Sequence, residues 1–382
     1  MSGQVRPVDG TSQPLRADPV RALTSSERDW LEVRSYLQEH RYDLAVRAAG
    51  EFPAAARMAG TPLLSAAGWQ PAVPVPLLDI SLELTAAAVT PLPGDAAVAL
   101  PERPDGTRYL SYAQALAELA APAVFENRPT YRLTAAELAS GAPRLDFAAG
   151  RYFDGIDTGE AAAHEFAARC LGRPARGPQI RLDDPCDLRR RPANLAISTL
   201  TLRLDRAAGR ASFLLHWRDP ARVGHAGGLY QVVPVGVFQP SGPAARLAGP
   251  DFSLWHCILR EFAEELAGAP EDYDGAADYQ AWPFARQLTE ALQAGRVRVW
   301  CLGLGTDPLT YATDLLTVAV IDSDVFDAWF SRSPRHNAEG TVLAAREFAA
   351  HVIDRTLTAD PVQAAGAAVL RLAWQHRETL GS

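Results

Sequence analysis

The sequence contains no lysine. All 37 basic residues are arginine, set against 45 acidic residues for a net charge of −8. The missing lysine, together with abundant Ala, Pro and Gly, reflects a GC-rich coding sequence and is no sign of phosphate recognition. A net acidic chain is a poor general binder of nucleic acid, because that affinity rests on neutralising phosphates. No zinc-finger spacing and no helix-turn-helix pattern occurs, so no nucleic-acid partner is expected. Cysteine is scarce: Cys170, Cys186, Cys257 and Cys301 are the only four. None forms a CxxC pair and no signal peptide is present, so reduced thiols in the cytoplasm are expected. No apolar run reaches membrane-spanning length, and no membrane partner is expected. Internal repeats are also missing.

A chain of 382 residues with 48% hydrophobic content suggests two domains with full cores. Residues 1–24 lack periodicity and carry Pro7, Pro14 and Pro19, which reads as a flexible tail. Residues 25–50 read as one helix, capped by Ser25 or Ser26, with Trp30, Leu31, Val33, Leu37 and Leu44 on its apolar stripe and Gly50 closing it. Pro71, Pro74 and Pro76 exclude a central strand or helix there, since each lacks an N–H. Leu77 to Leu84 reads as a strand, residues 111–121 as a helix, and a further helix starts near Thr158. Phe125 to Arg132 is a polar-aromatic stretch, either a packed loop or a ligand-facing one. The Pro- and Arg-rich run from Arg169 to Pro192 reads as a linker or surface loop. After it, Leu195 to Leu204 alternates and turns at 206–210 into Ala211 to Trp217, a hairpin signal. Strands are expected at 229–238, 297–304 and 315–321, with helices from about Val342 and from Pro361 to Leu380.

The most informative segment is Arg260-Glu261-Phe262-Ala263-Glu264-Glu265-Leu266. On a helix, Glu261, Glu264 and Glu265 gather on one side at i, i+3 and i+4. Trp255, Ile258, Leu259, Phe262 and Leu266 form the adjoining apolar stripe. Three carboxylates so close repel one another, and a hard divalent cation relieves the repulsion. An ordinary amphipathic helix with a solvated acidic edge is the plain alternative.

The order Arg260-Glu261-Phe262-Ala263-Glu264-Glu265 resembles the core of the Nudix box, G-x5-E-x7-R-E-U-x-E-E-x-G-U. The match covers its C-terminal half. The earlier Glu of the box falls on Phe252, with Asp251 beside it, its first Gly on Arg246, and its last Gly on Ala267, with Gly268 next. The resemblance implies an α/β class: a Nudix-like α/β/α sandwich with a mixed sheet, joined here to an α+β N-terminal domain. It implies Mg²⁺ or Mn²⁺ held by Glu261, Glu264 and Glu265, with Arg260 orienting one of them by an ion pair. It also implies attack of water on a diphosphate, with Glu264 and Glu265 catalytic and a late-loop residue, Glu339, as the general base. The domain plan that follows is a tail at 1–24, an N-terminal domain at 25–165, a linker at 166–192 and the Nudix-like domain at 193–380. Extra domains in that family dimerise or shape substrate access, so a homodimer is one expectation for the N-terminal part.

Other residues suit a small phosphorylated partner. Arg218 either grips a phosphate bidentately or pairs with Asp219. His225 lies in a Gly-rich loop before the acidic helix, and Asp307 sits in a turn at a strand end as a substrate contact. His164 beside Glu165 is a metal ligand or, more commonly for such a pair, structural. Three functions remain open on these residues. One is a divalent-metal hydrolase of a nucleoside diphosphate derivative. Another is a Nudix-fold ligand-sensing or interaction module without hydrolysis. The third is a Nudix-derived enzyme of specialised metabolism acting on a non-nucleotide.

Overall fold

The computed structural model describes residues 21–85, 100–122, 125–173, 184–219, 227–242, 246–269, 277–330 and 340–381. In chain order, the first half contains helices α1 (Ser25–Glu39) and α2 (Arg41–Gly50), then strands β1 (Val75–Pro76) and β2 (Ser81–Leu84). Helix α3 (Tyr112–Leu119), strands β3 (Pro129–Glu137) and β4 (Arg144–Arg151), and helices α4 (Tyr152–Gly155) and α5 (Ala161–Cys170) follow. The second half runs β5 (Leu195–Asp205), β6 (Arg210–Phe213), β7 (Leu215–Arg218), β8 (Tyr230–Val232), β9 (Val235–Val237) and α6 (Leu254–Glu261). It continues with α7 (Pro283–Gln293), β10 (Val297–Thr306), β11 (Thr313–Asp322) and α8 (Ser323–Phe330). The chain ends with β12 (Gly340–Val342), β13 (Arg346–Glu347), α9 (Ala350–Ala359), α10 (Ala364–Gln375) and α11 (Arg377–Gly381).

The molecule is mixed α/β. Its main sheet has the order β1-β10-β11-β5-β6-β13, with β9 also pairing β5. The β5–β11 pair is parallel and its neighbours are antiparallel. Period-2 alternation along these strands feeds two cores. Leu195, Ile197, Leu315, Ala319 and Ile321 point to a front core shared with α6, α7 and α8. Leu200, Leu202, Leu316, Val318 and Val320 point to a back core shared with α9 and α10. Two smaller sheets, β12-β7-β8 and β2-β4-β3, flank the main one. No helix among the described residues is long and apolar enough to cross a membrane.

Several elements differ from the pattern in the sequence. The single helix expected over 25–50 breaks at His40 into α1 and α2, since hydrophobic spacing does not record a change of axis. Its cap is Thr24, whose Oγ1 accepts the Glu27 N–H at 3.0 Å while Glu27 accepts the Thr24 N–H at 2.8 Å. The expected strand 229–238 is two short strands in different sheets, parted by a cis Val233–Pro234 bond. The helix expected from Val342 starts at Ala350. The residues before it form β12 and β13, because β7 and β6 offer them free edges. Residues 63–77, placed by the sequence in the N-terminal part, pack along the main sheet. Leu64 N–H bonds Thr306 O at 2.9 Å, Leu304 N–H bonds Trp69 O at 3.1 Å, and β1 pairs β10. Leu64 and Trp69 thereby share the front core with residues of the second half.

The N-terminal helices are joined by buried charge. Glu160, 2% exposed, accepts from Arg34 Nη1 at 2.5 Å and from both terminal nitrogens of Arg41 at 2.9 Å. Glu160 ends a π turn at Ile156–Glu160 between α4 and α5. There Gly159 passes so close to the 307–311 turn that a Cβ would lie 1.9 Å from Thr310 O. Only glycine allows that approach.

Two predictions follow from this packing. Phe262 is fully buried beside Phe330, with ring centroids 5.4 Å apart. Phe262→Ala is expected to cost roughly 3–5 kcal/mol in denaturant unfolding; a loss below about 1 kcal/mol would contradict the described core. His164, 2% exposed, stacks on Trp30 and lies 3.3 Å from Tyr112 Oη, so it is a structural histidine. Burial, with the nearby Arg34 charge, pulls its pKa down to about 3. The unfolded chain takes up this proton near the ordinary value of about 6.5. The His164 contribution is therefore full above that pH and is lost as pH falls from there toward 3. His164→Gln is expected to remove roughly 1–2 kcal/mol of the stability change between about pH 7.5 and pH 5, as read by urea unfolding at the two pH values.

Candidate functional site

Helix α6 begins where Ser253 Oγ accepts the His256 N–H at 3.3 Å. It buries Leu254, Trp255, Cys257, Ile258 and Leu259 against the front of the main sheet. At Phe262–Leu266 the helix widens into a π turn, closed by Ala267 N–H on Phe262 O at 3.0 Å. A π turn adds one residue to the repeat, and such turns recur at functional sites. Here it keeps Phe262, Ala263 and Leu266 buried, draws Glu265 to 5% exposure and leaves Glu261 and Glu264 half-buried.

Strand β9 meets these carboxylates. Glu265 Oε1 accepts the Val235 N–H at 2.8 Å, and its Oε2 lies 3.4 Å from Nδ1 of His216 on β7. Glu261 lies over Gly236: a Cβ on that glycine would fall 1.9 Å from the Glu261 carboxyl carbon. Cys257, one turn before Glu261, turns its thiol to Val237 O at 3.7 Å. Burial pushes that thiol's pKa up, and both Glu261 and Glu264 add to the effect.

Arg260 was expected to orient one of the glutamates. Its guanidinium instead bonds Asp251 Oδ1 at 3.1 Å, Gln239 O at 2.7 Å and the Tyr279 hydroxyl. Asp251 is 2% exposed. Its Oδ2 accepts the Ser241 N–H at 2.9 Å and the Ser241 hydroxyl at 2.7 Å, and its Oδ1 accepts from Tyr279 at 2.5 Å. Burial alone would raise the Asp251 carboxyl, but the Tyr279 and Ser241 hydrogen bonds and the Arg260 charge hold it below the usual range. His256 stacks on Tyr279 with ring centroids 3.8 Å apart. This group clamps the loop before α6 onto the helix.

The other expected site residues are dispersed. Arg218, on β7, donates to Gln231 Oε1 at 3.3 Å, and Gln231 in turn donates to Gln363 at 2.7 Å. Asp307 is buried, and its Oδ1 accepts the N–H groups of Leu309 and Thr310, both at 2.9 Å. It therefore builds its own turn, where Tyr311 takes a positive φ of 54°. It lines a small cavity with Arg41 and Gln363, in a setting unlike that of the glutamates. His225 and Glu339 lie outside the described residues. His216, Gly236 and Tyr279 carried no motif in the sequence. Asp251 had one faint signal, its place beside the position where the Nudix box has its earlier Glu. Among the described residues, no three His, Cys, Asp or Glu side chains are grouped so as to hold a metal ion by themselves.

No family model and no curated protein matches the sequence.

The Asp251–Arg260 pair is buried, and removing one partner leaves the other charge uncompensated. Asp251→Ala is expected to cost roughly 3–5 kcal/mol in denaturant unfolding. A change below about 1 kcal/mol would mean that the clamp contributes little.

Proposed function

We propose that residues 193–380 form a Nudix-like α/β/α sandwich and cleave a diphosphate bond in a small phosphorylated molecule, such as a nucleoside diphosphate derivative, with Mg²⁺ or Mn²⁺. The observation that carries this reading is the placing of Glu261 and Glu265 against β9, with Gly236 leaving room for the Glu261 carboxylate and Glu264 in the same π turn. The mixed sheet with α6 on one face and α10 on the other supports it.

The donors fit a cation that arrives with its substrate better than a cation bound alone. Glu265 is already engaged by the Val235 N–H and lies beside His216. Glu261 and Glu264 are half-buried on the same helix. Mg²⁺ commonly takes one or two protein carboxylates, keeps several waters and completes its shell with substrate phosphates. When bound, such a cation supplies charge neutralisation and polarises a phosphoryl oxygen. The chain's own residues act around it. Glu261 and Glu264 would offer oxygens, the Val235 N–H anchors Glu265 Oε1 with His216 standing 3.4 Å from Oε2, and the Asp251–Arg260–Tyr279 clamp sets the start of the helix.

A ligand-sensing module without hydrolysis is the second reading. The lack of three grouped donors among the described residues favours it.

The test is release of phosphate or nucleoside monophosphate from a panel of nucleoside diphosphate derivatives with Mg²⁺ or Mn²⁺. Turnover is expected in the parent and its loss in Glu264→Gln. His216→Asn should lower activity about 10–100-fold through the orientation of Glu265. Mg²⁺ alone should scarcely move the melting temperature, whereas Mg²⁺ with a non-hydrolysable diphosphate should raise it. Ligand stabilisation without metal-dependent turnover would replace the hydrolase with the sensing module.

A further inference from the structure

Three surface arginines show how this chain uses the guanidinium edge formed by Nε and Nη2. Arg144 places that edge on Asp146 at 2.6 and 3.2 Å, Arg189 on Asp187 at 2.9 and 3.0 Å, and Arg203 on Asp327 at 2.8 and 2.6 Å. Each sets two N–H groups on the two oxygens of one carboxylate, the geometry that makes arginine selective for oxyanions. The same edge of Arg132 is buried. Among the described residues its Nε and Nη2 have no hydrogen-bond partner, although the residue is only 6% exposed. A buried guanidinium without an acceptor is costly, so such groups are normally paired.

The surroundings of Arg132 are fixed and electropositive. Arg132 leaves β3 on the face opposite Tyr131, whose ring packs on Phe238 and Phe252 beside the α6 loop. Its backbone bridges Asn194. Asn194 is held by Thr130 Oγ1 at 2.8 Å and by the carbonyls of Arg151 and Tyr152 at 3.0 and 3.2 Å. Arg191, 1% exposed, comes from the same segment. It donates only to neutral acceptors: Pro185 O at 2.6 Å, Pro192 O at 3.3 Å, Thr306 Oγ1 at 3.2 Å and Thr313 Oγ1 at 2.7 Å. Burial, with the Arg132 charge adding to it, pulls Arg191 down to about 10. Burial lowers Arg132 as well, and Asp154 is the carboxylate that acts against this. Asp154 itself accepts the Arg151 N–H at 2.8 Å where α4 begins.

We propose that the Nε/Nη2 edge of Arg132 binds an oxyanion, the phosphate or carboxylate group of a small molecule, at the junction of β3, α4 and the 191–194 segment. The site is separate from the acidic helix and needs no divalent cation. Its occupant answers a buried positive charge that the described residues leave without an acceptor, and it would tie the β2-β4-β3 sheet to the segment entering β5.

The test is the melting temperature of the full chain in EDTA, with inorganic phosphate or succinate at about 10 mM against chloride of equal ionic strength. At least one oxyanion is expected to raise it by roughly 2–4 °C, and the better of the two identifies the group. Arg132→Met should lose the shift. Arg132→Lys, which keeps the charge but not the edge, should keep less than half of it. Glu264→Gln should keep all of it. A parent indifferent to both anions would overturn the proposal and leave a solvated arginine. So would a parent-sized shift in Arg132→Met, or in Arg132→Lys should the Met variant fail to fold. Loss of the shift in Glu264→Gln would also overturn it, by moving the anion to the acidic helix.

Discussion

The parallel pairing of β5 with β11 is the constraint on which the rest of this structure depends. Both strands are buried on both faces, so apolar side chains of alternate residues must be covered twice. Parallel neighbours also need a long crossover connection. Residues 206 to 312 form that connection, and it carries β6 to β9, α6, α7 and β10. The candidate site lies along this excursion. β9 returns to pair the start of β5, and α6 packs down onto the front core directly after it. The same apolar stripe that covers the sheet brings the glutamates to β9.

Buried charge is answered within the chain at Glu27, Glu160 and Asp251, and Arg132 contrasts with these. Glu160 receives Arg34 and Arg41 and joins α1, α2 and the π turn into one unit. Asp251 receives Arg260, Tyr279 and Ser241 and fixes the loop before α6. The partners of Glu160 arrive from helices more than a hundred residues earlier, whereas those of Asp251 come from the segments just before and after it. Among the described residues the Nε and Nη2 of Arg132 have no acceptor, whereas the buried Arg191 nearby has carbonyl and hydroxyl acceptors.

Much of the secondary structure was legible in the sequence. The β5–β6 hairpin, β10, β11, α6 and α10 follow from alternation, from the 3.6-residue period and from turn residues. The helix that carries the three glutamates was legible too, but the π turn at Phe262–Leu266, which alters the regular spacing expected of them, was not. Less legible were features made by neighbours. The break at His40 leaves the apolar stripe continuous. The split of 229–238 between two sheets depends on which strand edges are free. The partner of Arg260 depends on how a loop folds back.

Taken alone, the sequence determined the α/β class and the apolar stripe of α6. These follow from local periods of 2 and 3.6 residues, which the chain carries without reference to the rest of the molecule. Tertiary structure decided how deeply the glutamates of that helix are buried, Glu265 almost fully and Glu261 and Glu264 in part. Glu265 is held only because β9 offers the Val235 N–H and β7 brings His216 alongside. Glu261 has room only because Gly236 lies opposite it. It also decided that Asp307 serves its own turn and that the Nε and Nη2 of Arg132 lie buried without an acceptor among the described residues. The physical reason is one of range. Hydrophobic periodicity is written in neighbouring residues, whereas hydrogen-bond partners and desolvation are set by segments that meet only when the sheet closes.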